Sequence, residues 1–306
     1  MFKIKNIKNI CKKNIKEYNK KYSVNIKSTL SDDTIDRINI LSIVEDDGIK
    51  LNKRGTLRKT IIYYSLLNMF NYNFWNDPKI KNEHRSKELN IIFEKYIYNN
   101  LKVFDTDKIK FFNKLLVLME NSNFKCKDNY INDIKKLFII NYHNFNRDIE
   151  IMIQMLLSVN KFNNITNDIL SHYIKFLKRY FCGYGNDQFF KREFLAWNQI
   201  NQVLEIKERT EVFTLPIDYR LPSILFKIKA FNLPVNLKRY FEKDIILSKE
   251  DELVIRSISY LTLLDMKRYL VKKNRYEMDY NLDNKLFNLW NLIPDIKHFK
   301  FNTTDY

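Results

Sequence analysis

Three short clusters in this sequence carry residue types that do chemistry. The first is Asn71, Tyr72, Asn73, Phe74 and Trp75, just ahead of Asp77-Pro78. Its rings can stack on a flat heterocycle, a contact of about 1–3 kcal/mol per base where proteins hold nucleic acids this way. Phe74 and Trp75 would serve equally well as core anchors. The second cluster is Asp187, Phe189, Phe190, Lys191 and Arg192, which follows Gly183-Tyr184-Gly185. Two of the four glycines in the chain fall within these three residues, so the backbone is expected to bend here in a way other residues resist. Lys191 and Arg192 near a helix start can bind a phosphate, because the free N–H groups and the dipole there attract anions. Asp187 in the same place is also a good helix N-cap. The third is Asp218-Tyr219-Arg220-Leu221-Pro222, bracketed by Pro216 and Pro222. An acid held between two prolines is more rigidly placed than most loop acids, and loops carry catalytic groups out of proportion to their length. A surface ion pair between Asp218 and Arg220 explains the triplet as well.

The usual catalytic signatures are missing. With so few glycines there is no phosphate-cradling loop and no nucleophile elbow, and no His-Glu-x-x-His occurs. Of His84, His143, His172 and His298, no two lie three to five apart, so no local metal-ligand pair exists and no metal or other cofactor is expected. Cys11, Cys126 and Cys182 are widely separated and show no Cys-x-x-Cys spacing, which fits a reducing, cytoplasmic setting better than a disulfide scaffold. Whatever chemistry the protein performs rests on scattered side chains.

Helices must position these groups. The 306 residues include only 4 Gly and 5 Pro, against roughly twenty and fifteen at average usage, so hairpin-rich β folds are disfavoured. Apolar residues recur at three- and four-residue intervals near 57–75, 86–101, 107–120, 129–141, 147–158, 165–182 and 187–204, which predicts helices there. Ser248 stands three residues before Asp251 in the manner of a capping box, and Val254, Ile258 and Leu261 form one stripe, predicting a long helix over about 249–271. A last helix is expected near 280–292, ahead of Pro294, and an extended connector or short strand at 211–215. Surface loops are expected at 76–88, 121–130 and 159–166. Residues 1–16 contain no acid and carry Ile at 4, 7, 10 and 15, which reads as a peripheral basic helix or a Lys-rich targeting segment.

These patterns add up to an all-α, multi-helix globular chain, with no linker or repeat to divide 1–306 into more than one domain. At 45% hydrophobic and 15% aromatic the chain can bury a sizeable core. No apolar run reaches the length of about 18 residues that spans a bilayer, so no membrane partner is expected. The net charge of +17 invites an anionic partner, yet the lysines are scattered, and Lys, Asn, Ile, Tyr and Phe rise together as an AT-rich genome would dictate.

In this order, the clusters resemble the queuosine salvage proteins, a family of queuosine 5′-phosphate N-glycosylase/hydrolases. Asn71 to Trp75 is similar to the family's Asn-Phe-x-Phe-Trp, and Phe189-Phe190-Lys191-Arg192 to its Phe-Tyr-Lys-Arg. Asp218-Tyr219-Arg220 with Pro222 resembles Ala-Asp-Tyr-Arg-x-Pro, and Ile255-Arg256 resembles Glu-Ile-Arg. Leu282 to Trp290 resembles a Trp-rich helix, and His298 with Thr303, Thr304 and Tyr306 a His/Thr-rich ending. Tyr72 stands where the family has Phe, and Leu215, Pro216 and Ile217 stand where it has a small residue and an aromatic before the Asp.

The resemblance implies hydrolysis of the N-glycosidic bond of queuosine 5′-phosphate, or a related 7-deazaguanine nucleoside, to queuine and ribose 5-phosphate. It implies a small-molecule nucleotide as partner and no obligate nucleic acid. Asp218 would be the catalytic carboxylate, stabilising an oxocarbenium-like sugar and activating water. Phe74 and Trp75 would wall the base, and Asp187 or Asp283 would face its cationic amine. Lys191, Arg192, His298, Thr303 and Thr304 would hold the phosphate, with Tyr219, Arg220 and Tyr306 completing the binding set. The alternative is a non-catalytic basic helical module that binds RNA or DNA. Its affinity would fall steeply with salt, whereas a hydrolase that contacts one phosphate would respond mildly.

Overall fold

Glycine scarcity and three-to-four periodicity produce helices along the chain. The computed structural model describes residues 6–29, 31, 34–35, 56–70, 91–120, 143–158, 167–204, 214–243, 245–272, 286, 289, 297 and 299–301, and these form an all-α protein with one two-stranded sheet. The chain divides into two compact units: Met1–Lys50 with Val212–Thr303, and Leu51–Glu211 with Thr304–Tyr306.

The first unit is organised by α1 (Ile7–Tyr22) and a long helix of 24 residues, Lys249–Lys272, which pack along each other. Ile7, Cys11 and Tyr18 recur on one face of α1 and are buried, which turns its lysines outward. Ser23 ends α1 in the left-handed conformation at φ 52°, and Lys20 and Lys21 lie in its last turn, where the helix dipole favours cations. The long helix starts as its capping pattern predicts. The Asp251 N–H donates to Ser248 Oγ at 3.1 Å, and that hydroxyl donates back to Asp251 Oδ2 at 2.7 Å. Tyr18 joins the two helices by donating to Asp251 Oδ1 at 2.7 Å.

Between them in sequence, β1 (Lys27–Ser28) pairs antiparallel with β2 (Phe231–Asn232), with Lys27 opposite Asn232 and Ser28 opposite Phe231. Residues 214–218 are irregular, so the described part of the expected 211–215 strand, Thr214 and Leu215, lies in the connector that was its alternative. A helix of eight residues, Arg220–Lys227, and another of nine, Val235–Lys243, also belong to this unit. Leu286 and Leu289 are helical and buried, as the periodicity near 280–292 predicts; the rest of that segment lies outside the described residues.

In the second unit α2 (Leu57–Phe70) packs against α7 (Lys191–Val203), and α6 (Asn167–Tyr180) also contacts α7. A five-residue π-helical turn, Phe93–Ile97, leads into α3 (Tyr98–Thr106), which packs on α4 (Lys108–Glu120). Helix α5 spans 143–158 and brings Phe145 within 5.7 Å of Phe104, 5.8 Å of Phe176 and 5.1 Å of Tyr180, ring centre to ring centre. These edge-on and tilted contacts form an aromatic core. Arg58 ties three helices together, donating to Asp105 Oδ1 at 3.0 Å and Asn146 Oδ1 at 2.8 Å. Three further helices of the first unit are α8 (Arg220–Lys227), α9 (Val235–Lys243) and α10 (Lys249–Lys272). The expected helix at 129–141, the helix end at 71–75 and the loops at 76–88, 121–130 and 159–166 lie outside the described residues. No described helix is long and apolar enough to cross a membrane.

Candidate functional site

Asp218 sits where the irregular connector enters α8. Its Oδ1 accepts the N–H groups of Arg220, at 2.8 Å, and Leu221, at 3.4 Å, so the acid satisfies two of the donors that a helix start leaves open. Pro222 falls in the first turn of α8, where its missing N–H costs nothing. Asp218 is half-buried, and among the described residues no hydrogen bond engages its Oδ2. One oxygen is thus fixed by the backbone and the other is not. Tyr219 is enclosed, and burial raises its hydroxyl above the usual phenol range, opposed by the Arg220 charge. Arg220 lies over that ring at 5.5 Å and donates from Nε to the phenol oxygen at 3.3 Å. The salt bridge between Asp218 and Arg220 that the triplet allows is not the interaction formed: a backbone cap takes the acid and an aromatic ring takes the guanidinium.

The backbone ahead of Asp218 is held from another element. Arg256, on α10, is 1% exposed and donates from Nε to the carbonyl oxygen of Ile217 at 2.9 Å. Its other arm reaches Glu252 Oε1 at 3.5 Å, one turn away and also buried. Behind α8, Ser223 donates to the Tyr219 carbonyl at 2.7 Å and accepts the N–H of Phe299 at 3.0 Å, docking part of the C-terminal tail on this helix. Periodicity could have found the Arg256–Glu252 pair: two opposite charges one turn apart on the stripe that contains Ile255 and Ser259 signal buried partners.

The second cluster belongs to the other unit. The periodicity predicts a helix from 187, with Asp187 as one candidate for its cap. The helix instead starts at Lys191, and Phe190 holds the cap position at φ 53° with no side-chain cap bond. Asp187 acts from outside: Oδ1 accepts the Phe189 N–H at 3.2 Å and Oδ2 accepts the Lys191 N–H at 3.0 Å. The tight turn of 187–190, closed by Phe190 N–H on the Asp187 carbonyl at 3.1 Å, delays the helix by these residues. Lys191 and Arg192 are both buried, Arg192 completely.

Glu193 is the residue the sequence reading missed. It is 1% exposed and accepts the N–H of Gly185, which sits at φ +80°, in the bend that the glycine pair predicts. Burial pushes its carboxyl up to about 7, against the pull of the backbone N–H groups; Asp187 adds to the rise and Arg192 opposes it. Tyr173, on α6, is enclosed nearby, and burial raises its hydroxyl, with Ser65 lowering it and Glu193 adding to the rise. The signal for Glu193 was its helical register with Trp197 and Ile200, both fully buried: a carboxylate on an apolar stripe. Protonation states near neutrality are what general acids and bases use.

Phe74, Trp75, Asp283, His298, Thr303, Thr304 and Tyr306 lie outside the described residues. Among the described residues no group of three His, Cys, Asp or Glu side chains is arranged to hold a metal ion. A comparison of the sequence with protein-family models and with curated proteins found no match.

Proposed function

We propose that this protein is a hydrolase that cleaves the N-glycosidic bond of queuosine 5′-phosphate or a related 7-deazaguanine nucleoside, releasing queuine and ribose 5-phosphate. The reading rests on ordered motifs that resemble those of queuosine salvage proteins, and one observation carries it. Asp218 keeps one carboxylate oxygen on the α8 backbone and the other outside any described hydrogen bond, and Arg256 clamps the preceding carbonyl.

Such an acid suits ribosyl hydrolysis. As the bond from the anomeric carbon to the ring nitrogen breaks, its electron pair leaves with the base and positive charge builds on the sugar, which a carboxylate stabilises. The oxygen of a water molecule then bonds to that carbon, and its proton passes to the carboxylate and on to the departing base. A 7-deazapurine has no N7 to protonate, so help for the leaving group must come from other contacts. Fixing one oxygen of Asp218 orients the second without using it, and that preorganisation is where the catalytic gain would arise.

The test is direct. Purified protein incubated with queuosine 5′-phosphate should release free queuine, detected by mass spectrometry, and Asp218→Asn should lose the activity. No queuine from the wild type overturns the assignment; an equally active Asn variant overturns only the role of Asp218.

A further inference from the structure

Helices α1 and α10 leave a groove between them that β1 borders. Its volume is about 410 Å³, and it is shallow and open to solvent. The floor is aliphatic: Ile26 and Ile258 are buried, while Ile15 and Leu261 are half-buried. Lys12 and Lys16 rise from α1 and Lys27 from β1, all exposed. Among the described residues none of the three makes a hydrogen bond or ion pair. The one acid on the groove, Asp265, is already engaged by Arg268 at 3.3 Å. The lining positions of α1 run from Lys12 to Asn19 and those of α10 from Ile258 to Asp265, so the groove follows about two turns, roughly 10 Å, of each helix.

We propose that this groove docks an acidic amphipathic helix of a partner protein. A third helix seats its ridge between two packed helices by ordinary ridge-into-groove geometry. Recognition of this kind reads apolar residues at i, i+3 or i+4, and i+7, a stretch of about two turns that equals the length of the groove. Acids flanking that stripe meet Lys12, Lys16 and Lys27, and this charge complementarity selects the partner and speeds its arrival.

The chemistry disfavours the other polyanions. Single-stranded nucleic acid is held by aromatic platforms, and this lining has no aromatic residue and no Arg. A lipid surface would call for an exposed apolar face on α1, but Ile7, Cys11 and Tyr18 are spent in the core. The proposal is independent of the hydrolase reading.

The probe is a fluorescein-labelled synthetic peptide of about four helical turns, carrying Leu at i, i+3, i+4 and i+7 with Glu beside them. Titrated with the 306-residue chain and read by fluorescence anisotropy, it should bind saturably. Binding should weaken about tenfold or more in the triple variant Lys12→Glu/Lys16→Glu/Lys27→Glu, and similarly in Leu261→Asp. A scrambled peptide of the same composition should bind poorly. Circular dichroism melting of the variants should match the wild type; should the triple variant melt early, the scrambled peptide and Leu261→Asp decide alone. Equal binding of the scrambled peptide overturns the proposal, and so does no binding at millimolar protein. So does tight binding of a single-stranded oligonucleotide or of phosphatidylserine vesicles that the triple variant abolishes while leaving the peptide unaffected.

Discussion

Arg256 donates from Nε to the carbonyl oxygen of Ile217 at 2.9 Å, so a side chain of α10 fixes the backbone immediately before Asp218. The two residues are 39 apart in sequence, and the bond is buried. Replacing Arg256 by Ala leaves that carbonyl and the Glu252 carboxylate without this partner in a dry site. The expected loss is about 3 kcal/mol or more, read by chemical denaturation, because a buried charge pair loses its cation and a buried carbonyl loses its donor. Arg256→Met combined with Glu252→Leu should recover a large part of it. A double variant as unstable as Arg256→Ala would show that the clamp on Ile217 dominates.

Asp218 has a structural and a proposed chemical role, and two substitutions separate them. Asn keeps an oxygen for the Arg220 and Leu221 N–H groups, so Asp218→Asn should melt within about 0.5 kcal/mol of the wild type, whereas Asp218→Ala should cost about 1 kcal/mol, as lost helix caps do. Both should abolish release of queuine. If the Asn variant melts as low as the Ala variant, the carboxylate charge at the α8 start matters more than the hydrogen bonds.

Glu193 gives stability a distinct pH dependence. Its carboxyl is raised from the ordinary 4.5 to about 7 in the folded chain, chiefly by burial. Between those values the folded state holds a proton that the unfolded state has released, so this residue makes stability fall as pH rises from about 4.5 to about 7 and adds no slope above that. The loss at neutral pH is about 3 kcal/mol at most. Glu193→Gln, which still offers an oxygen to Gly185, should therefore flatten the denaturation free energy over this window and stabilise the protein at pH 8. A wild type and variant with parallel pH profiles would show that the carboxyl titrates normally.

Cys11 and Cys182 should differ in reactivity. Burial pushes the Cys11 thiol up to about 12, although Ser257 and Arg256 pull the other way, and the thiolate is the species that reacts. Cys182 is half-buried in the turn after α6. With iodoacetamide at pH 8, Cys182 should be alkylated in the native protein, while Cys11 should react at least about tenfold more slowly and only catch up in denaturant. Peptide mass spectrometry reads both sites. Equal native rates would mean that α1 does not stay packed along α10.

Much of the scaffold was legible because the signals are local. The capping pattern at Ser248 and Asp251 and the stripe of Val254, Ile258 and Leu261 placed a helix at 249–271 that the structure extends by one residue. The same logic failed by four residues at Asp187, where a tight turn closed by the Phe190 N–H competes with the helix for the same backbone donors. At the candidate site the sequence marked Asp218 for its place between prolines, yet its interaction with the α8 backbone, and that of Arg220 with the Tyr219 ring, follow from where the helix begins.

By itself, then, the sequence determined the all-α class, most helix spans among the described residues and the bend at Gly183 and Gly185, since hydrophobic period, caps and glycine act over a few residues. Only the tertiary structure decided that Arg256 meets Ile217, that Glu193 is dry enough to titrate near 7, and that three lysines ring an aliphatic groove. Burial and long-range hydrogen bonds depend on which faces meet, and that is fixed when the helices pack, not by the residues on either side of each group.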